Sequence, residues 1–421
     1  MSKFIEVTQR IFKTVEIRKK IIFSLIVLLA YRFLAAIPVA GIPADAIRLL
    51  FEGSSFGDML STVSGGVLET ASIAAIGLSP YISASIIFQL LGSVIPKLEE
   101  LRNEGPEGRK QISMYTRLLT VPLAAMQSFV IYSTLRGFGL VGQLGTLELI
   151  VMVATLTAGS ILVMWLAELT SESGVGGGSS YLIFLGIIAG IPGTLRSNFT
   201  LMDPLQKGVF ITITLLLVIS VVYITEAQRK IKVQYSRRVR VGGAMDSYIP
   251  IKLVQFGVMP VIFAVSLLSF PQLIGKFILS KNMGDGITDF TTKAMALLEN
   301  PYFSNTLTFL FIVGFSFFYL TVVFKTDELA KNLQKQGGFI PGIRPGPNTS
   351  KYLRSVAFRL ASVGAVFLGI ISILPNILIS LNLMTATVIT GTGLLIMVNV
   401  VLDIRREVSS MIVVRDYDRY L

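Results

Sequence analysis

Residues 302–324 read YFSNTLTFLFIVGFSFFYLTVVF, 23 consecutive positions without one charged side chain. As a helix this run would rise about 34 Å, enough to cross the roughly 30 Å of hydrocarbon in a bilayer. It stops at Lys325, and the polar segment from there to Arg359 carries seven Lys and Arg residues. An apolar run of spanning length opening onto a basic connection is the unit from which the rest of the chain is built.

Nine further runs qualify, at 21–37, 70–95, 114–135, 145–167, 181–195, 208–225, 253–274, 357–379 and 383–402. The fifth and sixth carry the weakest signal; the fifth is short, and Pro192 predicts its end. Composition agrees with a membrane protein. Of the 421 residues, 52% are hydrophobic and 15% charged, with a mean hydropathy of +0.72, whereas soluble domains carry roughly 25% charged residues. The predicted fold class is an all-α membrane protein of ten transmembrane helices.

The cations then orient it. Of 37 Lys and Arg residues, 29 fall in the N-terminal segment, the even-numbered connections and the C-terminal tail, seven in the alternate connections, and Arg32 lies inside the first run. The positive-inside rule therefore predicts both termini in the cytoplasm. The net charge of +12 suits anionic partners such as lipid headgroups, RNA or an acidic protein face.

The chain contains no Cys and no His. Disulfides, thiolate nucleophiles and the commonest soft metal ligands are thereby excluded, and no side chain is left that ordinarily titrates near neutrality. No cofactor is predicted. The stretch Gly174-Val175-Gly176-Gly177-Gly178-Ser179-Ser180 lacks the Lys-Ser/Thr of a phosphate-binding loop and follows no strand, so it reads as a tight turn into the fifth run. Residues 2–20 are too long and too amphipathic for the n-region of a cleavable signal. They read either as a helix lying on the cytoplasmic membrane surface or as one packed on the chain's own loops.

The half-polar stretch 53–69, broken at Gly65-Gly66, reads either as a half-helix folded into an outward-facing cavity or as an ordinary external loop. Intramembrane charge is scarce: Arg32 lies in the first run, and Glu69, Glu148 and Lys252 fall at predicted ends. An ion-coupled carrier ordinarily keeps an acid near the midplane, which weighs against that class without removing it. Two long connections, 225–252 and 325–359, face the cytoplasm. The second should begin with an amphipathic turn or two, break at Gly337-Gly338, and project a stiff Pro/Gly tip through Pro347.

Several long motifs resemble the SecY family, the channel subunits of the bacterial protein translocon: Gly77–Leu91 (GLSPYISASIIFQLL), Glu104–Arg117 (EGPEGRKQISMYTR), Ala227–Arg238 (AQRKIKVQYSRR), Gly257–Ala264 (GVMPVIFA) and Asp327–Gly346 (DELAKNLQKQGGFIPGIRPG). The resemblance covers essentially the whole chain. It implies a protein-conducting channel rather than an enzyme, with two pseudo-symmetric halves of five spans, 21–195 and 196–402. These are preceded by a cytoplasmic amphipathic helix over 1–20 and followed by a cytoplasmic tail over 403–421.

Carried over by position, the resemblance places a pore ring at Leu78, Ile82, Ile183, Ile262 and Ile396. It places a plug at about 56–67, with Phe56, Met59, Leu60, Val63 and Val67. A lateral gate would run between spans two and three on one side and seven and eight on the other, with Gln89, Gln127, Val254 and Gln255 along it. Arg237, Arg238 and Arg240 in one cytoplasmic loop, and Arg344 and Lys351 in the other, would dock the SecA motor or the ribosome. Implied partners further include the small membrane subunits SecE and SecG, signal peptides, nascent chains and anionic lipids; the implied location is the bacterial plasma membrane. The chain departs from the family pattern at Val254, where a polar residue is usual, at Ser179, and in the Gly-rich turn before the fifth span.

Overall fold

A computed structural model describes residues 14–39, 72–137, 141–142, 144–201, 203–235, 247–281, 285–380 and 390–418. Each of the ten apolar runs contains a helix: α1 (Val15–Ala36), α2 (Ser79–Val94), α4 (Pro106–Gly137), α5 (Thr146–Ser173), α6 (Gly178–Leu201), α7 (Pro204–Glu226), α8 (Met259–Lys281), α10 (Pro301–Val323), α12 (Pro347–Ser380) and α13 (Gly391–Asp418). The helical segments beginning at Thr146, Pro204, Pro301 and Pro347 are each long and apolar enough to cross a bilayer by length and composition. Short helices α3 (Pro96–Asn103), α9 (Asp285–Glu299) and α11 (Thr326–Lys335) lie between them, with strands β1 (Gln228–Tyr235), β2 (Ser247–Lys252) and β3 (Gly338–Phe339).

Proline shapes several junctions. The α2 and α3 axes differ by 102°, and the break falls at Ile95, whose extended backbone is what a following proline imposes. Pro96, Pro204 and Pro301 occupy first helical turns, where a missing N–H costs nothing. Pro192 behaves otherwise than expected. Helix α6 continues through it to Leu201, because a proline deletes one backbone hydrogen bond, a loss that neighbouring groups in a bundle can absorb.

The outer surface is apolar in long stripes. Leu25, Ile26, Leu29 and Phe33 on α1 and Leu215, Leu216, Ile219 and Tyr223 on α7 are all more than half exposed. In water such stripes would be an aggregation hazard; against acyl chains they carry no penalty.

Two buried clusters organise the interior. One belongs to the second half, joining Leu217 and Val221 of α7, Ile312 and Leu320 of α10, Leu353, Ala361 and Leu368 of α12, and Leu395 and Leu402 of α13. The other crosses between the halves and includes Val27 and Tyr31 of α1, Ile82 and Ile86 of α2, Val163 of α5, Leu182 and Ile183 of α6, Ile262 and Phe263 of α8, and Ile396 and Val400 of α13.

The two long connections come together. Strands β1 and β2 form an antiparallel hairpin, with Gln228 opposite Lys252 and Val233 opposite Ser247. Strand β3, from the other connection, pairs with the far end of β1, Tyr235 opposite Gly338. The sheet order is β2-β1-β3. Ile231, Val233 and Ile251 bury its inner face against the second-half core, so the strands alternate apolar-in and polar-out.

Candidate functional site

Leu78, Ile82, Ile183, Ile262 and Ile396 come from α8, α6, α13, α2 and the turn that leads into α2, yet all belong to the same cross-half cluster. Each is at most 6% exposed. What these five side chains offer a solute is branched hydrocarbon. A constriction lined in this way dewets readily, and it presents no hydrogen-bonding group to hold a passing chain.

The approach to α2 is built with little slack. Ile73 donates its N–H to the Ile37 carbonyl at 3.0 Å, and Pro38 bridges to Ser72. The turn over 73–78 uses Gly77 at φ +58°, in the left-handed region that favours glycine. Helix α5 braces this turn from the side: Ser160 Oγ donates to the Gly77 carbonyl at 2.9 Å. Its neighbour Gly159 lies so close that an added Cβ would fall 1.9 Å from the Ile73 oxygen. The position of Leu78 and Ile82 is therefore set by the α5 backbone. Sequence reasoning missed Gly159 and Ser160; a Gly-Ser pair in an apolar run is ordinary, and only the contact gives it a role.

The two halves touch along one seam. Helices α2 and α4 pack against each other and against α8, with Phe88 stacked on Tyr115 at a centroid separation of 6.2 Å. On the far side Phe263 of α8 meets Phe315 and Tyr319 of α10 edge-on. Gln89 on α2 is half-buried, and Gln127 on α4 is buried. Gln255 is half-buried just before α8, with its side-chain oxygen buried and without a hydrogen-bond partner among the described residues. Val254 is elsewhere: it belongs to the second-half core, and an added Cβ on Gly364 of α12 would lie 3.3 Å from its side chain. The structure thus brings Gln89 and Gln127 to helices bordering the seam but puts Val254 behind it.

Arg344 and Lys351 are exposed. The Arg344 tip follows a left-handed turn at Gly342 (φ +81°) and precedes another at Gly346 (φ +104°), and the Arg344 carbonyl accepts from Thr349 Oγ1 at 3.1 Å. The guanidinium is held out on a defined backbone, a geometry suited to bidentate contact with carboxylate or phosphate. Arg237, Arg238 and Arg240, the plug residues Phe56, Met59, Leu60, Val63 and Val67, and most of the 1–20 segment lie outside the described residues.

Charge at the same end of the bundle is arranged in a network around α13. Glu226 at the end of α7 accepts from Arg405 at 2.7 Å and from Arg406 at 2.8 Å. Burial pushes the Glu226 carboxyl upward, but the hydrogen bond from Arg406 and the charges of Arg405 and Arg406 outweigh it and hold the group below its ordinary value. For Asp403 burial prevails over Arg406 and Lys252, and the carboxyl is raised. Glu407 turns the other way, accepting the Gly176 N–H at 2.5 Å and lying 3.8 Å from Lys20. The Gly-rich turn is thus a socket for Glu407, fastening α13 to the first half.

This architecture is that of the protein-conducting channels. A solved structure described as a protein conducting channel superposes with a TM-score of 0.68 over 94% of this chain and 93% of that one, at 20% identity. The channel in a canine ribosome–channel complex from the endoplasmic reticulum gives 0.66, also at 20% identity over 94% of this chain and 93% of that one. At these identities the likeness is one of fold. Sequence comparison goes further. The SecY family model matches residues 72–405. The protein translocase subunit SecY of Corynebacterium glutamicum is 39% identical over 97% of this chain and 98% of its own length; that of Streptomyces scabiei is 37% identical over 98% of both. The chain belongs to the SecY family of protein translocase subunits.

Proposed function

We propose that this chain is the channel of a protein translocase, passing unfolded secretory polypeptides across a membrane and releasing apolar segments sideways into lipid. The observation that supports the reading is the cross-half cluster, where five aliphatic side chains from four helices and one turn lie buried together with residues of both halves. A seal of this composition can block ions at rest and still let a peptide slip past. The family is one of translocase subunits rather than of enzymes, so the driving energy comes from a partner motor or from the ribosome.

In this reading all ten apolar helices span the bilayer, in halves 21–195 and 196–402, with both termini cytoplasmic in a bacterial plasma membrane. Residues 56–67 form the plug beneath the ring. The seam of α2 and α4 against α8 and α10 is the lateral gate, with Gln89, Gln127 and Gln255 its polar groups. Arg344 and Lys351, with Arg237, Arg238 and Arg240, form the landing surface for SecA or the ribosome, and SecE and SecG complete the complex. The canine neighbour, described in its ribosome complex, supports the ribosome as a partner.

The test is reconstitution. Vesicles containing the chain with SecE, SecG and SecA should import a signal-bearing preprotein when ATP is supplied, and Arg344→Glu should abolish import while the purified protein stays folded. Small-solute uptake with no import of preprotein would overturn the reading in favour of a carrier, and normal import by Arg344→Glu would remove that residue from it.

A further inference from the structure

At the mouth of the seam that faces the basic connections, two helix ends from opposite halves meet. Helix α3 ends at Asn103 after its sharp turn from α2; α10 ends at Val323. The last four carbonyls of a helix have no partner within it, and both ends present the negative pole of their dipoles. Two such poles facing each other repel unless cations stand between them. Here two do. Arg102 Nη2 donates to the Val322 carbonyl at 2.9 Å, and this is a carbonyl the α10 ladder leaves free, because the N–H four residues on, at Thr326, bonds Phe324 instead. In the reverse direction Lys325, the second residue past α10, donates to Asn103 Oδ1 at 3.1 Å and is held in place by Glu328 at 3.0 Å. The two contacts are reciprocal. Each half supplies one cation and one acceptor.

Behind them lies a cavity of about 610 Å³ lined by Arg102, Asn103, Arg109, Lys325, Asp327 and Arg354 among others. Neither cation contact is therefore forced by packing, since the two ends have room to part. Helix α3 follows directly from α2, which carries Ile82 and Gln89, across the bend at Ile95, so whatever holds α3 to α10 also tethers the end of α2 to the second half.

We propose that Arg102 and Lys325 form a latch across the cytoplasmic mouth of the seam and set how readily the gate opens. They are positioning residues: they act on the helices that must separate, not on the chain in transit. The latch sets signal-sequence stringency, because a weak signal must supply by its own binding whatever free energy the latch withholds. The inference rests on the channel reading above.

Import of a preprotein with a defective signal, relative to one with an intact signal, measures that stringency in reconstituted vesicles. The Arg102→Ala, Lys325→Ala double variant should raise this ratio about tenfold, equivalent to about 1.4 kcal/mol of gate bias. Arg102→Lys, which keeps a cation at the α10 carbonyl, should return part of the way. A variant that is only misfolded lowers import of both preproteins and leaves the ratio alone. Because the chain has no cysteine, Asn103→Cys with Lys325→Cys can be bridged by a short cleavable thiol cross-linker. Bridging should stop import, and reductant should restore it. An unchanged ratio in a double variant that still imports the intact-signal preprotein, or full import with the bridge in place, overturns the latch. Absence of import by the unmodified chain would instead overturn the channel reading itself.

Discussion

Substituting Gly159→Ala adds a single methyl group, yet the structure expects a large effect. The new Cβ would lie 1.9 Å from the Ile73 oxygen and 2.6 Å from the Ile73 carbon, against ordinary contact beginning near 3.4 Å. Both obstacles are backbone, so no side chain can rotate away, and α5 or the 73–78 turn must retreat by up to about 1.5 Å, the shortfall between those two distances. Overpacking of this kind costs about 1–3 kcal/mol. Retreat also breaks the bond from Ser160 Oγ to the Gly77 carbonyl, worth about 1 kcal/mol. Together these predict a loss of about 2–4 kcal/mol. The displaced turn leads directly into Leu78 and Ile82, so the seal should loosen along with the fold.

Two assays read the two consequences: the fraction of protein remaining monodisperse after heating in detergent, and the resting ion conductance of reconstituted vesicles. Gly314→Ala on α10 is the control, because an added Cβ there meets nothing within 4 Å. The expected pattern is lower heat survival and higher leak for Gly159→Ala, with neither change for Gly314→Ala. If Gly159→Ala matches the wild-type chain in both, the claim that α5 fixes the start of α2 is wrong.

Other outcomes follow from the same geometry. Ile82→Asn or Ile262→Asn should raise resting ion conductance several-fold, measured in planar bilayers, because a polar side chain wets the seal. Gly391→Ala should destabilise the α12–α13 junction by about 1–3 kcal/mol, read by heat survival in detergent, since its Cβ would fall 2.3 Å from the Ile371 oxygen and 2.5 Å from that of Ser372. Glu226→Gln should remove a pH-dependent contribution. A carboxylate held below its ordinary value of 4.5 stabilises the fold above that value and ceases to as pH falls through the lowered one. The stability difference between wild type and variant should therefore be present at neutral pH and vanish in strong acid. With the pair partly exposed to solvent, each ion pair should contribute no more than about 1 kcal/mol.

The apolar runs were legible because bilayer thickness imposes a length on each span, and every run contains a helix. Their ends were not. Helix α4 starts at Pro106, α12 at Pro347, and α13 runs on to Asp418, well past the hydrophobic stretches, because a helix that leaves the lipid can continue in water with a polar sequence. Helix α9 was overlooked for the opposite reason: 15 residues with Asp285, Asp289, Lys293 and Glu299 are too short and too charged to register as a span. Its spacing of Ile287, Thr291, Met295 and Leu298 was nonetheless visible, and Thr291 and Met295 are the buried positions. The five residues proposed for the ring could be singled out only by resemblance, since an isoleucine in an apolar helix looks alike whether it faces a pore or lipid. The pairing of β1 with β3 had no local signal at all, being a contact between segments about a hundred residues apart.

That pairing has a mechanical consequence. Two loops tethered only at their ends would swing independently, and a pull on one would be lost in its own slack. Stitched through Tyr235 and Gly338, and backed by Ile231, Val233 and Ile251, they behave as one plate standing on the ends of α7, α10 and α12. A load applied at Arg344 would therefore not stop at the tip: it would pass through β3 into β1 and on to α7, from which β1 directly follows.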